Sequence, residues 1–153
     1  MISECFASTR AANSSRWFAN SCATATQTEK VDSVITGIHH VQITIPRDAE
    51  KDAHAFYCDV LALPEIRKPD SLAGRGGFWL QVGDRAVHVG VEDGVDRSRT
   101  KSHIAYAVSD LAYWRQRLQA HEVEILESIP IPGHDRFEFR DPFGNRVEMI
   151  QPL

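Results

Sequence analysis

Four side chains of metal-ligand type stand in short aliphatic stretches of this chain: His40 in "TGIHHVQITIP", His88 in "RAVHVGVE", His103 in "SHIAYAV" and Glu148 in "GNRVEMIQP". Three neutral imidazoles and one carboxylate suit Zn, Ni, Mn, Fe or Co better than the hard cations Ca and Mg. A divalent ion held by them would keep a formal charge of about +1 and polarise any oxygen brought to it. That chemistry needs the four groups in one site, so it depends on where each side chain points.

Strand alternation supplies directions. In "HHVQITI", His39, Val41, Ile43 and Ile45 share one face, and His40, Gln42 and Thr44 share the other. The aliphatic face belongs against a helix, which turns His39 to the helix side as a packing or surface residue and His40 away from the core. In "SHIAYAV", Ile104, Tyr106 and Val108 form the apolar face and His103, Ala105 and Ala107 the opposite one. Later in the chain, Val87, Val89 and Val91 alternate with Ala86, His88 and Gly90, and Val147 and Met149 alternate with Arg146, Glu148 and Ile150. The turns before these two strands align with a one-residue offset, so the equivalence of His88 with Glu148 fails if a bulge intervenes.

These strands belong to a unit used twice. Module one, 34–95, reads as a strand, a helix in "RDAEKDAHAFYCDVLALP" capped by Asp48 and ended by Pro64, a loop in "SLAGRGG", and two strands joined by a "GD" turn. Module two, 101–153, repeats the order. Its helix starts at Ser109 or Asp110 and buries Leu111, Trp114 and Leu118; "VEILESIPI" is a strand; "RFEFRDPFGNRVEMIQP" is a hairpin turned by "DPFGN". "HVQITI" matches "HIAYAV", and "VGDRAVHV" matches "FGNRVEMI". Each unit offers a sheet with a helix on one face. Two such units side by side predict an α+β domain over 34–153 whose free sheet faces curl into an open cup lined from both halves.

The remaining candidates are weaker. His54, His121 and His134 fall on helices or loops without partners in register and are expected to face solvent. Arg75 in "AGRGG" and Arg136 in "HDRFEF" are placed to meet an anionic substrate at the rim. Trp79 and Phe137 serve either as pocket walls or as core.

Composition narrows the function classes. A net charge of -4 and a pI near 5.9 give no basic surface for nucleic acid, and no apolar run reaches the length of a membrane span. Cys5, Cys22 and Cys58 have no C-x-x-C spacing, which argues against a disulfide framework or zinc knuckle and makes Cys58 a free thiol. Residues 1–33 are rich in Ser, Thr, Ala and Asn and carry Arg10 and Arg16 without an apolar core. They read as a disordered extension, an upstream start or a transit-type segment, and are set apart from the fold. The expected compartment is the cytoplasm, or an organelle if the extension directs import.

The stretch "GIHHVQITIP...AHAFYCDVLALP", the strand "SHIAYAV" and the ending "FRDPFGNRVEMIQ" resemble the vicinal oxygen chelate superfamily, which includes glyoxalase I, extradiol dioxygenases, fosfomycin-resistance enzymes and bleomycin-resistance proteins. The resemblance implies two βαβββ modules forming a cup, usually within a homodimer, with metal ligands on the first and last strands of each module. His40, His103 and Glu148 match those places. The remaining one, commonly Glu in glyoxalase I, holds His88 and departs from that pattern. The resemblance implies a divalent-metal enzyme of lyase or isomerase type acting on a small molecule with neighbouring oxygens through an enolate-like species. Glu148 would then be the general base. The alternatives are a drug- or metabolite-binding protein of bleomycin-resistance type and an Fe(II) dioxygenase using His40, His103 and Glu148 as a facial triad.

Overall fold

The structure, a computed structural model, describes residues 34–153, so the segment 1–33 with Cys5 and Cys22 lies outside the described residues. The first module runs β1 (His40–Ile45), α1 (Glu50–His54), β2 (Glu65–Ile66), β3 (Phe78–Val82) and β4 (Arg85–Val91). The second runs β5 (His103–Ala107), α2 (Leu111–Ala120), β6 (Leu126–Glu127), β7 (His134–Arg140) and β8 (Arg146–Pro152). Each module makes a four-stranded sheet, in the orders β1-β4-β3-β2 and β5-β8-β7-β6. The β1/β4 and β5/β8 pairs are parallel and all others antiparallel. Both sheets are open, as the repeated strand–helix–strand pattern predicts.

Several local expectations change. The first strand begins only at His40, so "ITGIH" is not part of it. Asp48 does not cap α1: its φ of 64° sets it in a left-handed turn, and the N-cap Ala49 has no side-chain hydrogen bond. The helix is also not uniform, because Ala55–Val60 continues α1 as a π-helical segment. The expected loop "SLAGRGG" is in its first five residues part of a short 3-10 segment, Asp70–Arg75. β6 keeps only Leu126 and Glu127 of "VEILESIPI", a stretch that also carries Pro130, and a β2 of the same length had no signal of its own. Asp110 rather than Ser109 caps α2, accepting a hydrogen bond of 2.9 Å from the Tyr113 amide.

One core serves both modules. Tyr57, Leu80, Val89, Leu118, Phe137 and Met149 belong to it and are almost fully enclosed. Burying an aliphatic or aromatic side chain of this size contributes about 1.5–3 kcal/mol. Phe137 is therefore core, and Cys58 is a half-buried free thiol whose pKa is pushed up by burial and by Glu65 and Asp59. The modules are also joined by polar bolts. Tyr57 Oη donates to Asp141 Oδ2 at 2.6 Å, Asn145 Nδ2 to the Thr44 carbonyl at 2.9 Å, and Arg117 Nε to the Val60 carbonyl at 2.6 Å. Asp141 and Asn145 are the ends of the "DPFGN" turn. Asp141 Oδ1 also accepts from the Phe143 and Asn145 amides at 2.9 and 2.7 Å. The motif thus closes the β7–β8 hairpin and locks it to the first module. Among the described residues no helix is long and apolar enough to cross a membrane.

Candidate functional site

Strand register settles the alignment problem left by the two turns. Gln42 pairs with His88, and His40 lies two residues before Gln42. Ala105 pairs with Glu148, and His103 lies two residues before Ala105. His40 and His88 are therefore related across β1 and β4 as His103 and Glu148 are across β5 and β8. The one-residue offset is absorbed in the hairpins. The β3–β4 loop closes between Val82 and Arg85, whereas the β7–β8 loop closes between Arg140 and Arg146, and β4 pairs with β1 through His88 in unbroken register.

The four side chains meet as two pairs. The His40 and His88 rings stack with centroids 4.0 Å apart and planes 15° apart, and Trp79 stacks on the other face of His88 at 3.9 Å and 1°. Trp79 is thus a wall beside His88 rather than core. In the second module, His103 Nε2 lies 3.1 Å from Glu148 Oε2. Among the described residues no three His, Cys, Asp or Glu side chains gather as a metal cluster. The expected four-ligand set is therefore not assembled within one chain. Both sheets turn their aliphatic faces to the common core, through Val87, Val89, Val147 and Met149, and leave His40 with His88 and His103 with Glu148 as two separate pairs. A cavity of about 380 Å³ is lined from both modules, by Gln42, Thr44, Arg97, His103 and Arg146 among others, but not by His40, His88 or Glu148.

The donor chemistry of the second pair fits a cation. The Lys101 carbonyl, 2.9 Å from His103 Nδ1, can only accept, so Nδ1 donates. Nε2 of a neutral ring then presents a lone pair to a carboxylate oxygen at 3.1 Å. Two acceptors at that distance repel unless a second proton or a metal ion lies between them. Nitrogen and oxygen donors held about 2.0–2.2 Å from one divalent ion sit roughly 3.0–3.5 Å apart. A ring nitrogen tied to a backbone carbonyl is also the usual outer support of a metal-binding histidine. In the first pair, burial and the imidazoles of His40 and His39 hold the His88 pKa below the ordinary value, favouring the neutral ring a metal needs.

His39 takes the surface alternative of its two expected roles and not the packing one. It lies before β1, where strand alternation does not apply, and is exposed, with Nδ1 3.0 Å from His40 Nδ1. It neighbours the candidate ligand instead of packing under the helix. Arg136 also differs: it is not a free rim cation, because Nη1 lies 2.9 Å from Glu148 Oε2 and Nε and Nη2 bind the Ile129 carbonyl. Arg75 is exposed and lines a cavity of about 260 Å³ beside His88, with Lys68, Gln42 and Trp79. His54 and His121 are exposed, the former 3.2 Å from Glu65, while His134 is half-buried. No motif in the sequence marks the charge network around Glu148. Arg136, Glu138 and Glu148 share one face by alternation and register, and Arg146 clasps Glu138 with two bonds of 2.6 Å, which keeps the Glu138 pKa low. That shared face was the available signal.

Residues 37–149 match the model of the Glyoxalase/Bleomycin resistance protein/Dioxygenase superfamily. A solved glyoxalase family protein from Bacillus anthracis is 35% identical with a TM-score of 0.74, the alignment covering 79% of this chain and 98% of that one. A fosfomycin resistance protein from Listeria monocytogenes, solved with manganese and sulfate, is 19% identical over 78% of this chain and 93% of its own, with a TM-score of 0.64. A lactoylglutathione lyase from Agrobacterium tumefaciens is 22% identical over 77% and 95%, with a TM-score of 0.59. The last two likenesses are of fold.

Proposed function

The chain belongs to the Glyoxalase/Bleomycin resistance protein/Dioxygenase superfamily, and on that premise we propose that it is a divalent-metal-dependent enzyme of lyase or isomerase type acting on a small molecule with neighbouring oxygens. The observation that carries this reading is the matched pair of half-sites, His40 with His88 and His103 with Glu148, at the same register in the two sheets. Since the halves do not meet in one chain, a homodimer would complete the site, each protomer lending one half to its partner's other half. His40, His88 and His103 would hold the ion, which when bound supplies Lewis-acid stabilisation to charge developing on a substrate oxygen. Glu148 would hold it too and serve as the base that takes a proton from carbon next to a carbonyl. Arg75, on the cavity beside His88, would receive an anionic group of the substrate.

The test is elemental analysis of protein purified without chelator, together with a thermal-shift screen over Ni, Zn, Mn, Fe and Co and over α-keto, thiol-adduct and catechol compounds. Bound metal and a rise in unfolding temperature with one compound class support the reading. Protein that holds no metal, shows no response to added metal and yet is stabilised by an organic ligand would make it a binding protein instead.

A further inference from the structure

We infer that Arg136 is a built-in counter-cation for Glu148 that competes with the metal and so sets the affinity of the site. This rests on the reading of His103 and Glu148 as ligands. Arg136 is largely covered, with 16% of its side chain exposed, and its guanidinium is held from two sides. Nε and Nη2 donate to the Ile129 carbonyl at 3.1 and 2.9 Å, so the group is anchored to main chain. Nη1 donates to Glu148 Oε2 at 2.9 Å, the same oxygen that faces His103 Nε2. The one atom shared by both proposed ligand contacts is thus already neutralised by a fixed positive charge. Relief from other acids is small: Glu138 lies 3.6 Å from Arg136 but is already clasped by Arg146. A divalent ion arriving at Oε2 meets a unit positive charge in a half-buried setting, where screening is weak.

A supporting residue that merely orients Glu148 would act in the opposite sense, since loss of such outer contacts weakens metal binding about 10–100-fold. The sign of the effect therefore decides. Mn(II) and Ni(II) dissociation constants are measured by titration calorimetry on the full chain and on Arg136→Met, Arg136→Gln and Arg136→Lys. The Met and Gln variants, which remove the charge, are expected to bind at least roughly tenfold more tightly, and the Lys variant, which keeps it, to stay near the parent. The Gln variant can still donate to the Ile129 carbonyl and serves if the Met variant does not fold. Equal or weaker binding by the uncharged variants, with metal still bound by the parent, overturns the role of Arg136 alone. If neither the parent nor any variant binds, the metal reading falls and takes this inference with it. Binding by the uncharged variants alone supports it in its strongest form.

Discussion

At the scale of single residues, the division between proposed ligand and neighbour rests on small differences of place. His40 and His39 are adjacent, yet only His40 lies in β1 and is carried by register beside His88. Replacing His40 or His103 with Ala is expected to lower metal affinity at least about 100-fold, because each removes a donor outright, while His39→Ala should cost only about tenfold, the low end for an outer contact, because its ring is exposed. Calorimetric titration with Ni(II) checks both, and retained parental affinity in His40→Ala would remove it from the ligand set. Glu148→Gln keeps size but loses the charge, and should abolish both metal retention and turnover of any substrate found in the screen.

At the scale of elements, the Tyr57–Asp141 bond joins the π-helical end of α1 to the β7–β8 turn. A hydrogen bond to a charged partner contributes about 1.5–3 kcal/mol, so Tyr57→Phe should destabilise by that amount in urea unfolding without moving metal affinity. The bond also has a pH signature. Burial, then the Asp141 charge, raises the Tyr57 pKa well above 10.0. A raised folded-state value means that the stabilisation is complete below the unfolded value near 10 and is lost as pH rises through the folded one. Buried Tyr106 is shifted the same way. Unfolding temperature should therefore fall steeply above about pH 10, and Tyr57→Phe should make that fall shallower. An unchanged slope would place the alkaline transition elsewhere.

At the scale of the molecule, two half-sites on sheet faces turned away from one core predict that metal binding and pairing of chains go together. A chain carrying His40→Ala and His88→Ala has no complete first half, and one carrying His103→Ala and Glu148→Gln has no complete second half. Each alone should hold no metal as a dimer. Co-refolded, they should regain about one ion per mixed dimer, because one of its two sites draws all four ligands from intact halves. Elemental analysis of the separated heterodimer reads this directly, and failure to regain metal would refute a site shared between chains.

Much of this was legible in the sequence. Alternation of period two told which residues leave the core on β4, β5 and β8, though not on β1, where Val41 is exposed, and duplication told that His40 corresponds to His103, because side-chain direction in a strand is fixed locally by the backbone. The "DPFGN" turn was readable as a hairpin for the same reason. Other features are not local. The partner of Arg136, the stack of Trp79 on His88, the bond from Tyr57 to Asp141 and the separation of the two ligand pairs depend on register between strands and on how the modules share one core. Local period says on which face a residue lies, but only long-range packing decides which faces meet. The sequence by itself determined which strand faces carry the proposed half-sites, and the tertiary structure decided that, among the described residues, the two candidate pairs do not gather into one cluster.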